Sequence, residues 1–452
     1  MSQRLIQLKR LQASLAKAMQ VMKPPKSLSV SEWADQERRL DSQSSAEPGR
    51  WYTSRAEYQR GIMDACSDPE IQEVVVMAGA QLGKTEAILN IIGYHIDNSP
   101  CPILVLQPTL EMAQAFSKDR IAAGLLRSTP VLKDKVKDPR ARDSGNTTLH
   151  KVFAGGALTI VGANSPAGLA SRPIRVVLCD ETDRYPPSAG SEGDPISLAR
   201  KRSATFWNRK IIMVSTPTNK GASRIEDAYE KSDMRQYYVP CKHCHHPQVL
   251  KWSNVKWDDG EPDTAKYLCD ECGTLWDEAD RMWSIRNGVW TAKEEFKGIA
   301  GFRITGLCSP WTPLADGVKD FLSVRKNPEQ LRVWTNTYLG ETWEDAGERI
   351  DDWELADRRE ALDKVPQEVM VLTAGVDTQD NVSCIFIKSQ AYAPHHHVDD
   401  STGEWTTRRT AGTTPYTFLD FEEAVTDQNR NIKVVKSQYV SRIARQFIKI
   451  MG

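Results

Sequence analysis

The sequence predicts an α/β protein in which helices cover both faces of a parallel sheet. Five apolar runs of strand length occur along the chain, at residues 74–78, 102–106, 157–161, 175–179 and 210–214. Apart from Thr159 and the basic residue that begins each of the last two runs, they are continuously apolar, as in strands that are buried on both faces, and helical stretches separate them. Small or polar residues follow the runs, at the strand ends where such sheets bind their ligands.

After the first run, the chain passes through a loop of small residues into a helical pattern. Residues 78–85, here called the phosphate loop, read Ala-Gly-Ala-Gln-Leu-Gly-Lys-Thr. This is the phosphate-binding pattern G-x-x-x-x-G-K-[ST] with its first Gly one place late, at Gly79. In such a loop, backbone N–H groups and a helix N-terminus point at phosphate. A chance G-K-T in an ordinary strand–helix turn is the alternative.

On this pattern we predict a P-loop NTPase sheet that binds ATP. Lys84 would place its charge at the β- and γ-phosphates, and Thr85 would offer its hydroxyl to Mg²⁺. The expected loop residues in contact with the nucleotide are Gly79, Gln81, Gly83, Lys84 and Thr85.

Two acids, Asp180 and Glu181, end the fourth apolar run. A carboxylate at a strand end can hold the Mg²⁺ of a nucleotide through water, and a neighbouring Glu can position the attacking water. We therefore expect ATP to be hydrolysed and not only bound. Ser215 and Thr216 end the fifth run and could sense the γ-phosphate, although a polar turn explains them equally well.

Three further side chains are candidates for the nucleotide site. Tyr58 and Gln59 precede the phosphate loop, and a Gln amide matches the donor and acceptor on the adenine edge. Packing is the alternative for this pair. Arg172, before the fourth run, is a candidate cationic finger for the γ-phosphate. Basic clusters at 127–142 and 201–210 suit either a nucleic-acid backbone or a solvated face.

Two C-x-x-C turns form the most specific pattern in the chain. They are Cys241 with Cys244 and Cys269 with Cys272. Four soft ligands in tetrahedral reach select Zn²⁺, and the spacing is compatible with a zinc ribbon. We predict a structural zinc, because four thiolates leave no open coordination position. A redox pair is the alternative. Three histidines in the first turn could substitute as ligands: His243, His245 and His246.

The composition excludes several classes of function. The net charge is −1 over 452 residues, so any contact with nucleic acid would need local basic patches. Nine cysteines without an apolar leader do not suit a secreted disulfide framework. No apolar run approaches the length that crosses a bilayer. We expect an intracellular protein without a membrane partner.

We predict five regions along the chain. They are a helical arm at 1–50, a P-loop ATPase domain at 51–238, a zinc ribbon at 239–280, a Trp-rich connector at 281–368 and an incomplete nuclease domain with an atypical tail at 369–452. The last region begins with an apolar strand that presents Asp377. Ribonuclease-H-like nucleases begin their sheet in this way, with that Asp as a ligand in a two-metal site.

Seven blocks of sequence resemble, in order, those of the large subunit of lambda-type phage terminases, the GpA family of DNA-packaging motors. The likeness extends over about residues 30–381. The blocks are 58–60, 80–86, 179–181, 215–217, 309–311 (Ser-Pro-Trp), 336–343 (Asn-Thr-Tyr-Leu-Gly-Glu-Thr-Trp) and 375–381 (Gly-Val-Asp-Thr-Gln-Asp-Asn).

The resemblance implies an N-terminal ATPase that drives double-stranded DNA into a preformed capsid and a C-terminal nuclease with two divalent metals, Mg²⁺ or Mn²⁺. It also implies a small terminase subunit as partner, with the N-terminal arm as its docking segment, and a portal protein. A homo-oligomer during packaging and the host cytoplasm as location follow from the same resemblance.

Family roles fall on residues of this sequence. Lys84 and Thr85 would hold phosphate and Mg²⁺, Asp180 the metal and Glu181 the water. Asp377 would be the first nuclease ligand. Tyr58 and Gln59 would lie near adenine, and Ser215 with Thr216 would couple hydrolysis to movement.

The tail after residue 381 departs from the family pattern. We expect a ribonuclease-H-like domain to continue into a hairpin and to supply further acids over a long span. Residues 382–452 are too few for the whole nuclease sheet. We therefore predict a chain that is truncated or interrupted within the nuclease domain and has no nuclease activity by itself.

Two other functions compete with the packaging motor. A helicase-like ATPase would need a second sheet domain with its own arginine motifs, which the sequence after residue 240 does not show. A non-catalytic, zinc-stabilised DNA-binding assembly protein is favoured only by the late position of Gly79.

Overall fold

The computed structural model describes residues 27–43, 45–137, 145–165 and 172–344, three isolated residues (12, 14 and 168) and strands between 369 and 434. The chain divides into two compact units, Met1–Asp345 and Ala346–Gly452, and each is described by itself.

The first unit centres on a large sheet. The strands described in it are β1 (Arg39–Leu40), β2 (Gly49–Arg50), β3 (Glu73–Ala78), β4 (Ile103–Gln107), β5 (His150–Phe153), β6 (Gly156–Gly162), β7 (Val176–Asp180), β8 (Lys210–Ser215), β9 (Arg235–Pro240), β10 (Pro247–Gln248), β11 (Val255–Asp258), β12 (Glu261–Leu268), β13 (Leu275–Trp276), β14 (Val289–Thr291) and β15 (Ile299–Ile304).

Helices lie between several of these strands. Those described are α1 (Val30–Glu37), α2 (Tyr58–Ser67), α3 (Lys84–Asp97), α4 (Leu110–Ala115), α5 (Pro130–Lys133), α6 (Pro195–Arg202), α7 (Arg224–Glu230), α8 (Glu278–Arg286), α9 (Leu314–Val324) and α10 (Pro328–Trp334). Two π-helical segments continue α4 and α10, at Phe116–Arg127 and Thr335–Leu339. Among the described residues, no helix is long and apolar enough to span a bilayer.

The central sheet confirms the predicted fold class. Its strand order is β10-β9-β15-β3-β8-β7-β4-β6-β5, with β14 beside β9. Neighbours from β9 to β6 run parallel, whereas β10, β14 and β5 are antiparallel to the strands they pair with. The five apolar runs of the sequence are β3, β4, β6, β7 and β8.

Alternate residues of β3 pack into two separate cores, one on each face of the sheet. Val74 and Val76 join the core that contains α3, whereas Val75 and Met77 join the core that contains residues of α6 and α7. A strand alternates its side chains between two faces, so a fully apolar strand requires cover on both. The helices on the two faces provide that cover.

The sheet extends beyond the predicted boundary at residue 238. β15 inserts between β9 and β3, directly beside the strand that leads into the phosphate loop, and pairs with β3 over six residues. The residues of β15 read Ile-Ala-Gly-Phe-Arg-Ile, and its Ala300 and Phe302 are fully buried. The segment between β9 and β15 is therefore an insertion within the ATPase sheet, and residues 299–304 do not belong to a separate connector.

Residues 28–40 belong to the core of this unit, so the predicted helical arm at 1–50 is wrong for this part. α1 begins with a capping box formed by Ser29 and Glu32. Trp33 is fully buried against α3, where a side chain at Gly93 would collide with its ring. Arg38 is 1% exposed and bonds Glu86 at 3.0 Å. Most of residues 1–26 lie outside the described residues.

The Trp-rich region contains a cluster of packed aromatic rings. Trp252 lies with its ring centroid 4.8 Å from that of Trp334, and Trp334 stacks on Tyr338 at 5.3 Å. Phe321 and Trp257 complete the cluster. Trp257 belongs to β11, and Trp252 lies in the turn before it. The three tryptophans of this cluster pack against other aromatic rings, which favours a structural role for them.

In the second unit, the structure describes strands and their backbone pairing. β16 (Val369–Gln379) pairs with β17 (Val382–Ala391), and β17 continues to β20 (Ala424–Thr426) and β21 (Ile432–Val434). β18 (Pro394–Val398) pairs with β19 (Trp405–Arg409). The hairpin expected of a ribonuclease-H-like domain after residue 381 is therefore present, so the predicted departure from the family pattern is wrong for residues 382–391. Asp377 lies opposite Cys384 in this hairpin.

Candidate functional site

The phosphate loop joins β3 to α3. At two of its positions, Gly79 and Gly83, a residue with a side chain would not fit. Gly83 has φ +77°, and a side chain there would collide with the Gln59 amide. A Cβ at Gly79 would stand 2.7 Å from the Thr337 carbonyl oxygen and 2.9 Å from that of Tyr338. A distant segment of backbone therefore packs on residue 79 and requires a Gly at that position.

Tyr58 and Gln59 lie beneath the phosphate loop. The Tyr58 hydroxyl and the Gln59 Nε2 both donate to the Leu82 carbonyl, each at 3.1 Å. The two residues are 1% and 2% exposed. In this position they support the loop backbone, and their contact with adenine stays a prediction.

Lys84 reaches back across the phosphate loop. Its Nζ donates to the carbonyl oxygens of Ala78 at 3.1 Å and Gly79 at 2.7 Å, and to Thr216 Oγ1 at 2.6 Å. Burial lowers the pKa of Lys84 to about 8, against the opposing effect of Glu181 and Asp180. The Lys84 ammonium therefore donates hydrogen bonds only to neutral oxygens, and the Thr216 hydroxyl is one of these acceptors.

The Asp180 carboxylate is buried at the end of β7. Gln107 Nε2 donates to its Oδ2 at 3.0 Å from the end of the neighbouring strand β4. Burial raises the pKa of Asp180 to about 6, because a charge is costly where water is excluded. A buried carboxylate of this kind gains from a nearby cation.

Glu181 adopts the left-handed backbone conformation, with φ +55°. A non-glycine residue in this region stores strain, which accumulates at functional sites. Its carboxylate lies 3.6 Å from the Arg184 Nε. The conformation turns the chain sharply at the strand end, directly after Asp180.

The loops after β7 and β8 are tied together by Asp183. Its backbone N–H donates to Ser215 Oγ at 3.2 Å, and its carboxylate accepts from the Thr218 hydroxyl at 2.9 Å and from the Ile225 N–H at 2.8 Å. The structure thus gives Ser215 a partner in the loop that contains Glu181, while Thr216 contacts Lys84.

Residues 336–343, here called the brace segment, pack against both the phosphate loop and the loop after β8. The Ala80 N–H donates to the Thr337 carbonyl at 2.6 Å. The Asn336 Nδ2 and the Trp343 N–H donate to the Thr218 carbonyl, at 2.8 and 2.9 Å. One stretch of chain therefore holds two loops of the candidate site.

Sequence reasoning missed Gln107, Asp183 and the brace segment as parts of this site. Gln107 ends the second apolar run, and that strand-end position was a usable signal. Asp183 follows Glu181 by two residues, and no sequence pattern identified it as a site residue. The brace segment contacts the phosphate loop through a main-chain carbonyl, which no side-chain pattern reveals.

Arg172 lies too far from the phosphate loop of its own chain to act as a finger there. Its Nη1 contacts the ring of His150, in β5, at 3.1 Å. β5 is the fifth strand from β3 in the sheet order. At about 4.8 Å per strand, the two are separated by roughly 24 Å.

The basic cluster at 201–210 is only partly a surface feature. Lys210 is buried and donates to the carbonyls of Asp68 and Ile71. Trp207 is 78% exposed. Part of the other cluster, 138–142, lies outside the described residues. Contact of these clusters with nucleic acid stays a prediction.

The four cysteines of the two C-x-x-C turns converge. Their Sγ atoms all lie within 4.8 Å of one another, with 3.9 Å from Cys241 to Cys272 and 3.8 Å from Cys244 to Cys269. A Zn–S bond of about 2.3 Å gives a tetrahedral edge of about 3.8 Å, so the donor set fits zinc. His243 instead contacts Asp280, at 3.1 Å.

Comparison with known proteins identifies two family models along the chain. Residues 45–290 match the model for the phage terminase large subunit gpA, ATPase domain. Residues 299–394 match the model for the terminase large subunit gpA, endonuclease domain. The boundary between them falls inside the central sheet, because β15 lies in the second match and pairs with β3 of the first.

Two curated relatives are similar over most of the chain. The terminase large subunit of Enterobacteria phage P21 is 31% identical over 385 residues, and that of Escherichia phage lambda is 30% identical over 383 residues. These alignments cover 79% and 78% of this chain and 59% of each relative. The chain thus spans about three fifths of the length of the relatives it matches.

Solved structures resemble the chain more remotely. The ATPase domain of the large terminase of Thermus phage P74-26 is 14% identical, covering 68% of this chain and 100% of that one, with a TM-score of 0.37. The large terminase of a thermophilic bacteriophage is 12% identical, covering 92% of this chain and 75% of that one, with a TM-score of 0.32.

Proposed function

The chain belongs to the gpA family of phage terminase large subunits, and on that basis we propose that it is an ATP-hydrolysing subunit of a DNA-packaging motor. The observation that carries the proposal is the meeting of three loops at the ends of β3, β7 and β8. Lys84 contacts Thr216 at 2.6 Å, and Asp180 and Glu181 stand at the end of the adjacent strand.

The side chains of this site fit a nucleotide triphosphate with Mg²⁺. Lys84 forms no ion pair among the described residues and bonds only neutral oxygens, so its charge is available to phosphate. Asp180 is a buried carboxylate, which gains from a cation. Mg²⁺, when bound, would offset the negative charge of the β- and γ-phosphates.

Each residue then has a distinct task in hydrolysis. Lys84 binds the β- and γ-phosphates, while Thr85 and Asp180 hold the metal. Glu181 orients the attacking water and accepts its proton, as a positioned carboxylate does in general base catalysis. Gly79, Gln81 and Gly83 shape the loop around the phosphates.

The site also offers a route from hydrolysis to movement. Thr216 bonds Lys84, and the loop that begins with Ser215 and Thr216 is held by the brace segment through the Thr218 carbonyl. A change at the γ-phosphate would shift Lys84 and Thr216 together. We assign Ser215 and Thr216 the task of coupling hydrolysis to the movement of DNA.

Substrate and partners follow from the family. We propose double-stranded DNA as the translocated polymer, a small terminase subunit that docks at the N-terminal arm, and the portal protein of the procapsid. During packaging in the host cytoplasm the subunit would act as a homo-oligomer. The four cysteines would hold a structural Zn²⁺ that stabilises the insertion between β9 and β15.

Asp377 is our proposed first metal ligand of the nuclease, for Mg²⁺ or Mn²⁺. The match to the endonuclease model ends at residue 394, after the β16–β17 hairpin that contains Asp377. The acids between 399 and 423 do not follow the family pattern and lie outside the described residues. Plasmid nicking in Mn²⁺ that disappears in Asp377→Ala would support this role for Asp377, and nicking that persists in the variant would contradict it.

The test of the ATPase proposal is phosphate release with and without double-stranded DNA. We expect Glu181→Gln to lower kcat by about 100-fold or more, since a positioned base contributes roughly this much, with nucleotide affinity retained. Glu192→Gln, the same chemical change at an exposed position, is the matched control. Equal turnover by wild type and Glu181→Gln would contradict the proposal. No turnover with saturating DNA and small subunit would favour a non-catalytic assembly protein.

A further inference from the structure

Gln107 is the last residue of β4 and has no role in the mechanism described so far. β4 lies beside β7 in the sheet, with Leu106 in register with Cys179, so the ends of the two strands stand side by side. Gln107 therefore adjoins Asp180, and its Nε2 donates to Asp180 Oδ2 at 3.0 Å. Both residues are buried, at 3% and 6% exposure.

The side chain of Gln107 is not required by the strand itself. Its backbone carbonyl accepts from the Ala163 N–H at 2.8 Å, as part of the ladder between β4 and its neighbours. The other residues of β4 are apolar and buried. Burying an amide costs free energy unless it is hydrogen-bonded, so an aliphatic side chain would suit this position if packing were its only purpose.

The chemistry of the pair is specific. An ionised carboxylate only accepts hydrogen bonds, and an amide nitrogen only donates, so the pair has one productive orientation. The donor comes from the end of β4, so it restricts rotation of the Asp180 side chain and leaves further lone pairs for a metal-bound water.

We propose that Gln107 is the positioning residue for Asp180: its amide holds one carboxylate oxygen so that the group meets the Mg²⁺ of the nucleotide in a fixed orientation. This inference rests on the proposed function, because it requires that Asp180 serve a metal. It predicts that Gln107 contributes to the metal-dependent part of nucleotide binding and contributes nothing to the metal-free part.

The experiment compares wild type with Gln107→Met, which keeps the length of the side chain and removes the donor. The affinity for a fluorescent ADP analogue is measured in Mg²⁺ and in EDTA. We expect the affinity in EDTA to change by less than twofold and the gain on adding Mg²⁺ to fall about tenfold. The Mg²⁺ concentration for half-maximal ATP hydrolysis should rise by a similar factor, with much of kcat restored at high Mg²⁺.

The matched control is Gln236→Met, the same substitution in β9 of the same sheet, which should leave the Mg²⁺ dependence unchanged. Gln107→Glu provides a second variant of nearly identical shape without the amide donor, should Gln107→Met fail to fold. We expect it to shift the half-saturating Mg²⁺ concentration at least threefold. The inference is overturned if a variant folds with a lower melting temperature but its nucleotide affinity increases on adding Mg²⁺ as much as that of wild type.

If the proposed function itself is wrong, the same experiment gives a different result. If the wild-type chain shows no gain in nucleotide affinity with Mg²⁺, the nucleotide site itself is wrong, and the role of Gln107 falls with it. If wild type shows the gain and Gln107→Met shows the same gain, only the positioning role is overturned.

Discussion

The four-cysteine cluster and the phosphate-loop site are assembled in opposite ways. The cysteines lie in two short turns between residues 241 and 272, and their sulfur atoms contact one another. The phosphate loop is held by residues spread along the first unit, from Tyr58 beneath it to Thr216 and Thr337 beside it. With the proposed zinc, the first site would use a metal to join nearby turns, whereas the second uses the sheet to join distant strands.

The two sites should therefore be vulnerable to different changes. If the cluster binds zinc as proposed, its turns should lose stability when the metal is removed, because the binding free energy of a structural zinc contributes to folding. A site distributed over a sheet survives the loss of one side chain but not the loss of a strand. Four measurements can distinguish these two kinds of assembly.

The largest effect should come from ending the chain at residue 298, between the two family matches. This removes β15, so β3 loses a parallel neighbour over six residues and the Gly79 N–H loses the Ile304 carbonyl. We expect residues 1–298 not to fold, because the loss exceeds the roughly 5–15 kcal/mol that stabilises a domain. Residues 1–344 should fold and bind nucleotide.

Circular dichroism and binding of a fluorescent nucleotide would compare the two chains. A folded chain 1–298 with wild-type nucleotide affinity would show that the phosphate-loop site is as local as the cysteine cluster, which would remove the contrast.

The second largest effect should come from the removal of one thiolate. We expect Cys241→Ser to lose bound zinc and to lower the free energy of unfolding by about 4 kcal/mol or more, the size typical of a lost structural metal. Metal analysis and urea unfolding with and without chelator would measure this. Cys308→Ala, at a buried thiol outside the cluster, is the control and should retain zinc. Wild-type protein that contains no zinc would contradict the prediction.

Acid should act on the sheet through His95, a buried residue of α3. Burial lowers the pKa of His95 to about 3, with Arg175 adding to the effect. The unfolded state, with a pKa near 6.5, then binds more protons below pH 6.5, so stability is lost as the pH falls. Between pH 7 and pH 5 this residue should cost about 2 kcal/mol of unfolding free energy.

Urea unfolding of wild type and His95→Gln at pH 7 and pH 5 would test this, with zinc content followed in parallel. The variant should show a smaller difference between the two pH values. An equal pH dependence in both proteins, with zinc retained, would assign the acid response to other groups.

The smallest effect concerns the contact of Gly340 with the phosphate loop. Gly340 has φ +63°, and a Cβ there would stand 2.7 Å from the Gly79 nitrogen. Gly145 has the same φ with no atom within 4 Å, so Gly145→Ala measures the backbone strain alone, about 1 kcal/mol. Gly340→Ala should cost more and should also weaken nucleotide binding several-fold. Equal effects of the two variants would show that residue 340 does not shape the loop.

The sequence predicted the sheet and the cysteine cluster because both have short-range signals. Continuous apolar runs predict buried parallel strands, and two C-x-x-C turns predict a site of four thiolates. The same reasoning placed the ends of β3, β7 and β8 on one edge, which brings Lys84 and Thr216 into contact.

The rest of the site could not be predicted, for physical reasons that differ from residue to residue. Thr337 contacts the phosphate loop through its carbonyl, so its side chain carries no information about the contact. β15 is short and contains Gly301, which weakens a strand signal. The position of Arg172 depended on the sheet order, which places β5 far from β3.

The shared carbonyl of Leu82 has a consequence for the direction of the next peptide group. Tyr58 and Gln59 both donate to this oxygen from the buried side of the loop. In a planar trans peptide the C=O and the following N–H point in opposite directions. The Gly83 N–H is therefore turned away from the buried side before any nucleotide arrives. Two residues chosen from the sequence for adenine thus act on the phosphate end of the site, by fixing the orientation of one peptide plane.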